Sequence, residues 1–155
     1  MAVRIAYVAR MRMPTERAHG IQIMRMCEAL ASEGAAVTLY YSNRRQIPSM
    51  RGIDPFDYYD VERNFEIKPV PIVDLIPLER VVPTRLLGPM YALANALFGL
   101  ASVLWTSRAK ADVYYTRHWF AAWWLTRFRR PTIFEVHRTD PVHMSRPVLW
   151  LLRRL

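Results

Sequence analysis

The sequence predicts an α/β protein with a parallel sheet and helices on both faces, and three observations support this fold class. Residues 3–8 (VRIAYV) and 36–41 (AVTLYY) are short apolar runs typical of buried strands. Between them, residues 21–33 carry apolar side chains at helical spacing, and Gly34 is placed to end that helix. The same alternation of strand and helix returns near the C-terminus. Strand, helix and strand within about forty residues form a βαβ unit, whose two strands run parallel.

The middle of the chain continues this pattern less regularly. Residues 42–64 are predicted to form a long loop, and residues 65–70 a third strand. Repeated prolines predict an extended, turning segment over residues 68–89.

The C-terminal part is again regular. Strands are predicted at residues 112–116 and 132–137, with a helix at 118–128 between them, and a further helix begins near residues 145–147. The complete order predicts a Rossmann-like parallel sheet, and the length of 155 residues fits one domain.

Residues 86–107 contain no charged side chain and are long enough to span a bilayer. Glycine, proline, asparagine and alanine make this stretch only moderately apolar, which favours a core or interfacial helix over a membrane span. Residues 118–130 mix aromatic side chains with arginines. Core packing with a basic helix end explains that mixture, and a membrane-interface or nucleic-acid surface is the alternative.

The composition is that of a folded protein: 52% of residues are hydrophobic and 23% are charged. The single cysteine, Cys27, cannot form an internal disulfide, and its place on the apolar side of the first helix predicts a buried structural thiol. The N-terminus lacks the long apolar stretch of a signal peptide, so we expect a cytoplasmic location.

The positive charge is concentrated in the second half of the chain. Residues 1–85 contain 12 Lys and Arg against 10 Asp and Glu, whereas residues 86–155 contain 10 against 3. Twenty of the 22 basic residues are arginine, which suits bidentate contacts to phosphate. This distribution indicates an anionic partner such as a phosphate, an acidic lipid headgroup or a nucleic acid, unless it reflects arginine-rich codon usage alone.

The loop after the first strand, residues 9–20, is a candidate anion site. It ends in His19 and Gly20 just before the first helix, where free N–H groups and the helix dipole favour negative charge. Arg17 adds positive charge, as do two further arginines of this loop. The loop is neither a GxGxxG dinucleotide fingerprint nor a Walker A loop. Cys/His metal spacing and a GxSxG nucleophile motif are also missing from the sequence, so no metal is expected.

The stretch IFEVHRTD (133–140) ends a predicted strand in a cluster of polar side chains. His137 lies at the strand tip, where a neutral imidazole can hydrogen-bond a substrate. Glu135 lies on the same face and is placed to orient it, or to pair with Arg117 or Arg138. A structural salt bridge with a capping histidine is the alternative interpretation.

Taken in order, two segments resemble the N-terminal domain of family-4 retaining glycosyltransferases of GT-B fold. They are VRIAYVARMRMPTERAHGIQIMRMCEALASEGAAVTLY (3–40) and DVYYTRHWFAAWWLTRFRRPTIFEVHRTD (112–140). The resemblance implies that residues 1–155 form one half of a GT-B fold, without the C-terminal donor-binding domain and its E-x7-E segment. Alone, such a half is expected to be inactive.

The family resemblance also implies substrates and roles. These enzymes transfer a sugar from a nucleotide diphosphate sugar to an acceptor, here a glycan or a lipid-linked molecule, and need no other cofactor. His137 matches the histidine that contacts the donor sugar and becomes the candidate catalytic residue. The loop formed by Arg17, His19 and Gly20 matches the segment near the donor diphosphate, with histidine in place of one glycine. The supporting residues on the acceptor side are Glu135, Arg138, Arg117 and His118.

The expected partners are therefore the donor, the acceptor, the missing C-terminal domain in cis or in trans, and an anionic membrane surface, but not nucleic acid. A peripheral position on the inner membrane face agrees with the basic second half and the uncharged stretch. The alternative function is a non-catalytic basic α/β module that docks on anionic membrane or nucleic acid.

Overall fold

The computed structural model describes residues 1–72 and 74–136, which form five strands, four α-helices and three short 3₁₀ turns. His137, Arg138 and the helix expected near 145–147 lie outside the described residues. The elements run in this order along the chain: β1 (Arg4–Ala9), α1 (Ala18–Ser32), β2 (Ala36–Ser42), α2 (Pro55–Tyr59), β3 (Glu66–Val70), α3 (Thr84–Thr106), β4 (Val113–Thr116), α4 (Trp119–Arg127) and β5 (Thr132–Phe134).

The sheet confirms the predicted Rossmann-like class. All four strand pairs are parallel, and the strand order is β3-β2-β1-β4-β5. Tyr7 on the central strand lies beside Leu39 of β2 and Tyr115 of β4. After β1, the chain adds β2 and β3 on one side of this strand, and it then crosses to the other side and adds β4 and β5. The carboxyl ends of β1 and β4 border the point where the strand order reverses.

Successive side chains of the central strand β1 point to opposite faces of the sheet and so contribute to two separate hydrophobic cores. On one face, Tyr7 packs with Met24 and Cys27 of α1 and with Phe56 of α2. On the other face, Ala6 and Val8 pack with side chains of α3, β4 and α4, among them Phe98, Tyr114 and Leu125. Cys27 is fully buried, and burial raises the pKa of its thiol, as expected for a structural cysteine.

Helix α1 begins earlier than predicted. It starts at Ala18, with Arg17 as an N-cap that makes no side-chain hydrogen bond, so His19 and Gly20 lie inside its first turn. The sequence does not indicate this start because the N-cap position holds Arg17 and not Ser, Thr, Asp or Asn. Its end was predicted correctly: Gly34 has a φ of 89°, and its N–H donates to Ala31 O over 2.9 Å.

Two further predictions were wrong in the middle of the chain. The expected loop at 42–64 contains α2, which Asp54 caps by accepting from Phe56 N at 2.8 Å, with Pro55 at the first helical position. Pro89 lies inside the 23-residue helix α3 and not in an extended segment. The stabilisation from packing the rest of this helix on the sheet outweighs the loss of the one backbone hydrogen bond that the proline cannot donate.

Strand β5 is shorter than predicted. It ends at Phe134, three residues before His137, although Glu135 N still donates to Thr116 O at 2.9 Å. Glu135 therefore remains beside the end of β4.

Candidate functional site

The loops after β1 and β4 enclose a cleft at the carboxyl edge of the sheet. This is the edge, and the point of reversal, at which open parallel sheets bind ligands. The cleft has a volume of about 270 Å³, and the first turns of α1 form part of its wall. Its walls are Ala9, Arg10, Met11, His19, Gln22, Ile23, Arg117 and His118.

The cleft continues into a strongly basic pocket of about 240 Å³. The two share Arg10, Met11 and His19, so we treat them as one feature, the switch-point cleft. The basic part is completed by Arg12, Thr15, Arg17, Arg44 and Tyr91.

Arg10 is the least neutralised charge of the switch-point cleft. Its guanidinium makes no hydrogen bond or ion pair with the described residues, and its Nε is buried. Burial lowers the pKa of Arg10, and the neighbouring charge of Arg44 lowers it further, while Asp74 opposes the shift. Arginine keeps its proton under such conditions, so this position holds a positive charge in need of a counter-ion.

The other arginines of the basic part differ in their partners. Arg12 pairs with Glu16 at 2.9 Å, and Arg44 lies 3.6 Å from Asp74. Arg17 is exposed and forms no ion pair with any described residue. Arg10 and Arg17 therefore give the switch-point cleft its uncompensated positive charge.

Arg117 is fixed in the cleft wall by Glu135. Its Nε and Nη2 donate to the two carboxylate oxygens at 2.7 and 2.8 Å, a bidentate geometry. Tyr115 also donates its hydroxyl to Glu135 at 2.9 Å, and Arg117 Nη1 reaches Gln22 Oε1 at 3.3 Å. Of the partners predicted for Glu135, Arg117 is the one present among the described residues.

His19 presents a partly buried imidazole to the cleft. Burial lowers its pKa, and the positive charges of Arg17 and Arg117 lower it further. The ring is therefore neutral at neutral pH and can both donate and accept a hydrogen bond.

His118 has a structural role as well as a place in the cleft wall. Its Nδ1 accepts from Ala121 N at 3.3 Å and so caps α4, which assigns the proton to Nε2, 3.0 Å from Asn95 Oδ1 of α3. Burial lowers the pKa of His118 to about 3, and Arg10 contributes to this shift. The neutral side chain thus connects α3 and α4 through hydrogen bonds.

Gly20 lines neither part of the switch-point cleft. A Cβ at this position would lie 2.3 Å from the hydroxyl of Tyr59 and 2.7 Å from Thr15 Cγ2. Close packing under the first loop therefore requires a glycine here, and the approach of this segment to a diphosphate stays a prediction.

Arg44, Gln22 and Tyr91 were not singled out from the sequence. Arg44 follows β2 at the same carboxyl edge as the two predicted loops, so the strand pattern contained a signal for it. Gln22 and Tyr91 enter from the sides of α1 and α3, and their positions depend on helix packing that periodicity alone does not define. Among the described residues, no group of three His, Cys, Asp or Glu side chains is arranged to hold a metal ion.

A larger groove of about 480 Å³ lies at the opposite edge of the sheet, beside Arg4 and Ala36. Charges lining it are already paired, as in the ion pair of Lys68 and Glu66. Because parallel sheets bind ligands at their carboxyl ends, the switch-point cleft is the better candidate site.

Comparison with known proteins links this fold to sugar transfer. A family model described as a glycosyl transferase 4-like domain matches residues 18–155. Among solved structures, the glycotransferase of kitacinnamycin has a similar fold, with a TM-score of 0.57 at 16% sequence identity. The match covers 99% of the present chain, which spans 36% of that protein's length. No protein with curated annotation matches the chain.

Proposed function

The chain belongs to the glycosyl transferase 4-like domain family, and we propose that it forms the acceptor-side half of a retaining sugar transferase. The complete protein would move a sugar from a nucleotide diphosphate sugar to a glycan or lipid-linked acceptor. The chain covers 36% of the matched glycotransferase, which leaves room in such a protein for a second, donor-binding domain.

The unneutralised charge of Arg10 is the observation that carries this proposal. A nucleotide diphosphate sugar carries negative charge on its phosphates, and neither Arg10 nor Arg17 of the switch-point cleft forms an ion pair with a described residue. When the bond between the anomeric carbon and the diphosphate oxygen breaks, negative charge grows on the departing phosphate. A fixed positive charge in a partly desolvated cleft stabilises that change.

The neighbouring groups supply positioning. Arg117 is held by Glu135 and also reaches Gln22, and it lines the same cleft, where its remaining N–H groups are suited to a phosphate or an acceptor oxygen. The neutral ring of His19 is suited to a sugar hydroxyl, because it can act as donor or acceptor. We keep His137 as the proposed contact to the donor sugar near the reacting carbon.

The proposal is tested by assaying the complete protein against a panel of nucleotide diphosphate sugars and following the anomeric configuration of the product by NMR. We expect transfer with retention, and we expect His137→Ala to lower kcat by about 100-fold or more with an unchanged thermal unfolding temperature. Arg127→Ala, at the exposed end of α4, is the matched control and should leave kcat unchanged. Inversion at the anomeric carbon, or full activity of His137→Ala, would contradict the proposal.

A further inference from the structure

Helix α3 exposes a straight row of leucines to solvent. Leu86, Leu93, Leu97 and Leu104 follow one another at intervals of seven, four and seven residues, which places them on one line along an α-helix. Each is between 43% and 59% exposed. We call this row the leucine ridge. A contiguous apolar surface of this kind marks an interaction site more often than a chance feature.

The opposite side of α3 is built into the domain. Phe98, Ser102, Val103 and Thr106 are fully buried against the sheet and α4. The helix is long and apolar enough to cross a membrane, and only 28% of its most apolar stretch is buried. If α3 crossed a membrane, its buried side chains would lose their contacts with the core of the domain. The helix can therefore contact lipid only with its outward face.

Charge along α3 identifies the kind of surface that the leucine ridge fits. No charged residue occurs between 86 and 107, and the other exposed residues of this stretch are glycine, proline, alanine and tryptophan. A leucine seam made for a second helix in water is normally flanked by charged residues that set its register. The broad uncharged face of α3 lacks them and instead matches an interfacial helix.

Cationic residues stand at both ends of this face. Arg80 and Arg85 are exposed at the amino end. At the carboxyl end, Arg108 lies over the ring of Trp105, with 5.4 Å between its Cζ and the ring centroid, and Lys110 follows. Tryptophan and arginine at the limits of an apolar face are typical of the water–lipid boundary, where arginines meet anionic headgroups.

We propose that α3 docks the protein on an anionic membrane, with its axis in the membrane plane and the leucine ridge among the acyl chains. The net charge of +9 favours the same surface. This inference goes beyond the proposed function and does not depend on sugar transfer. It places the switch-point cleft, to which α3 contributes Tyr91, close to the lipid surface.

The first test is flotation of the full-length protein with phosphatidylcholine vesicles containing or lacking about 30% phosphatidylglycerol. We expect binding to the anionic vesicles, a loss of about tenfold or more in Leu93→Glu/Leu97→Glu, and about fivefold in Arg85→Gln or Arg108→Gln. Val3→Glu, an equally exposed apolar position at the start of the chain, is the matched control and should bind as the unmodified protein does. Unchanged binding by the double variant, or no binding by the unmodified protein, would overturn the proposal.

A second measurement avoids dependence on the folding of that variant. Leu97→Cys is labelled with an environment-sensitive dye, because the native thiol of Cys27 is fully buried. We expect a blue-shifted emission with anionic vesicles from position 97 and none from labelled Val3→Cys. An unshifted dye would exclude insertion. A dimer in sedimentation equilibrium that Leu93→Glu/Leu97→Glu dissociates, without vesicle binding, would assign the leucine ridge to a second copy of the chain.

Discussion

At the scale of single residues, His118 shows how one side chain serves both the fold and the cleft. Its neutral ring caps α4 through Nδ1 and reaches Asn95 of α3 through Nε2. The cap requires the uncharged imidazole, because protonation would remove the acceptor at Nδ1, whereas Nε2 can donate to Asn95 in either state. The sequence placed His118 among the supporting residues but gave no reason to expect this burial.

The stability of the protein should therefore depend on pH. The pKa of His118 is about 3 in the folded chain, below the ordinary value of 6.5, so the unfolded chain binds more protons between these values. Stability is fully present above about pH 6.5 and should fall as the pH falls, by at most about 1.4 kcal/mol per pH unit. His118→Asn keeps a helix-capping group and should flatten this dependence in urea unfolding curves. His19→Asn, at a partly buried site, should retain most of the pH dependence of stability. If the two variants flattened this dependence equally, His118 would not be its main source.

Gly20 gives a second prediction at this scale. Gly20→Ala should lower the free energy of unfolding by about 1–3 kcal/mol, because its methyl group would displace the Tyr59 hydroxyl. That hydroxyl accepts from Thr15 N and donates to Thr15 O, both at 2.7 Å. Gly88→Ala, also in a helix but with no atom near its Cβ position, is the control and should be neutral or stabilising in the same denaturation experiment. Equal effects of the two substitutions would show that packing does not require the glycine.

At the scale of elements, the sequence predicts the positions of the five strands well, although β5 is shorter than expected, and it predicts the helix boundaries less well. Short apolar runs in β1, β2 and β4 identify buried parallel strands because both of their faces are covered. The start of α1 lacks a side-chain cap, so the sequence predicts a first loop that continues to residue 20, whereas the helix begins at Ala18. The sequence predicts an extended segment up to Pro89, although tertiary packing maintains α3 around this proline. Local signals cannot report such distant contacts.

The packing of α3 on α4 depends on Gly99. A Cβ there would lie 2.9 Å from the carbonyl carbon of Phe120 and 3.0 Å from its oxygen. Backbone atoms at the start of α4 cannot rotate away, so Gly99→Ala should lower the unfolding free energy by about 2 kcal/mol or more. The measurement is thermal or urea unfolding, again with Gly88→Ala as the control. If Gly99→Ala kept the stability of the unmodified protein, α3 and α4 could move apart to accommodate the methyl group without loss of stability, and their packing would not require the glycine.

At the scale of the whole molecule, the order of the sheet strands brings distant segments of sequence into one site. Arg10 and His19 follow β1, and Arg117 follows β4 about a hundred residues later, yet they line one cleft because β1 and β4 are neighbours. The sequence identified both loops by their place after strands. It did not predict which arginines lack partners, since Glu16, Asp74 and Glu135 neutralise their neighbours only in the folded chain.

The most direct test of the account is the rate of sugar transfer by the complete protein with Arg10→Gln, compared with Arg4→Gln. Arg10 forms no hydrogen bond or ion pair with the described residues, so its replacement should leave the fold intact and lower kcat by about 100-fold. Arg4 lies at the opposite edge of the sheet in an exposed ion pair with Asp112, and its replacement should leave kcat unchanged. If Arg10→Gln transfers sugar as fast as Arg4→Gln does, the switch-point cleft is not the site at which the phosphates are held.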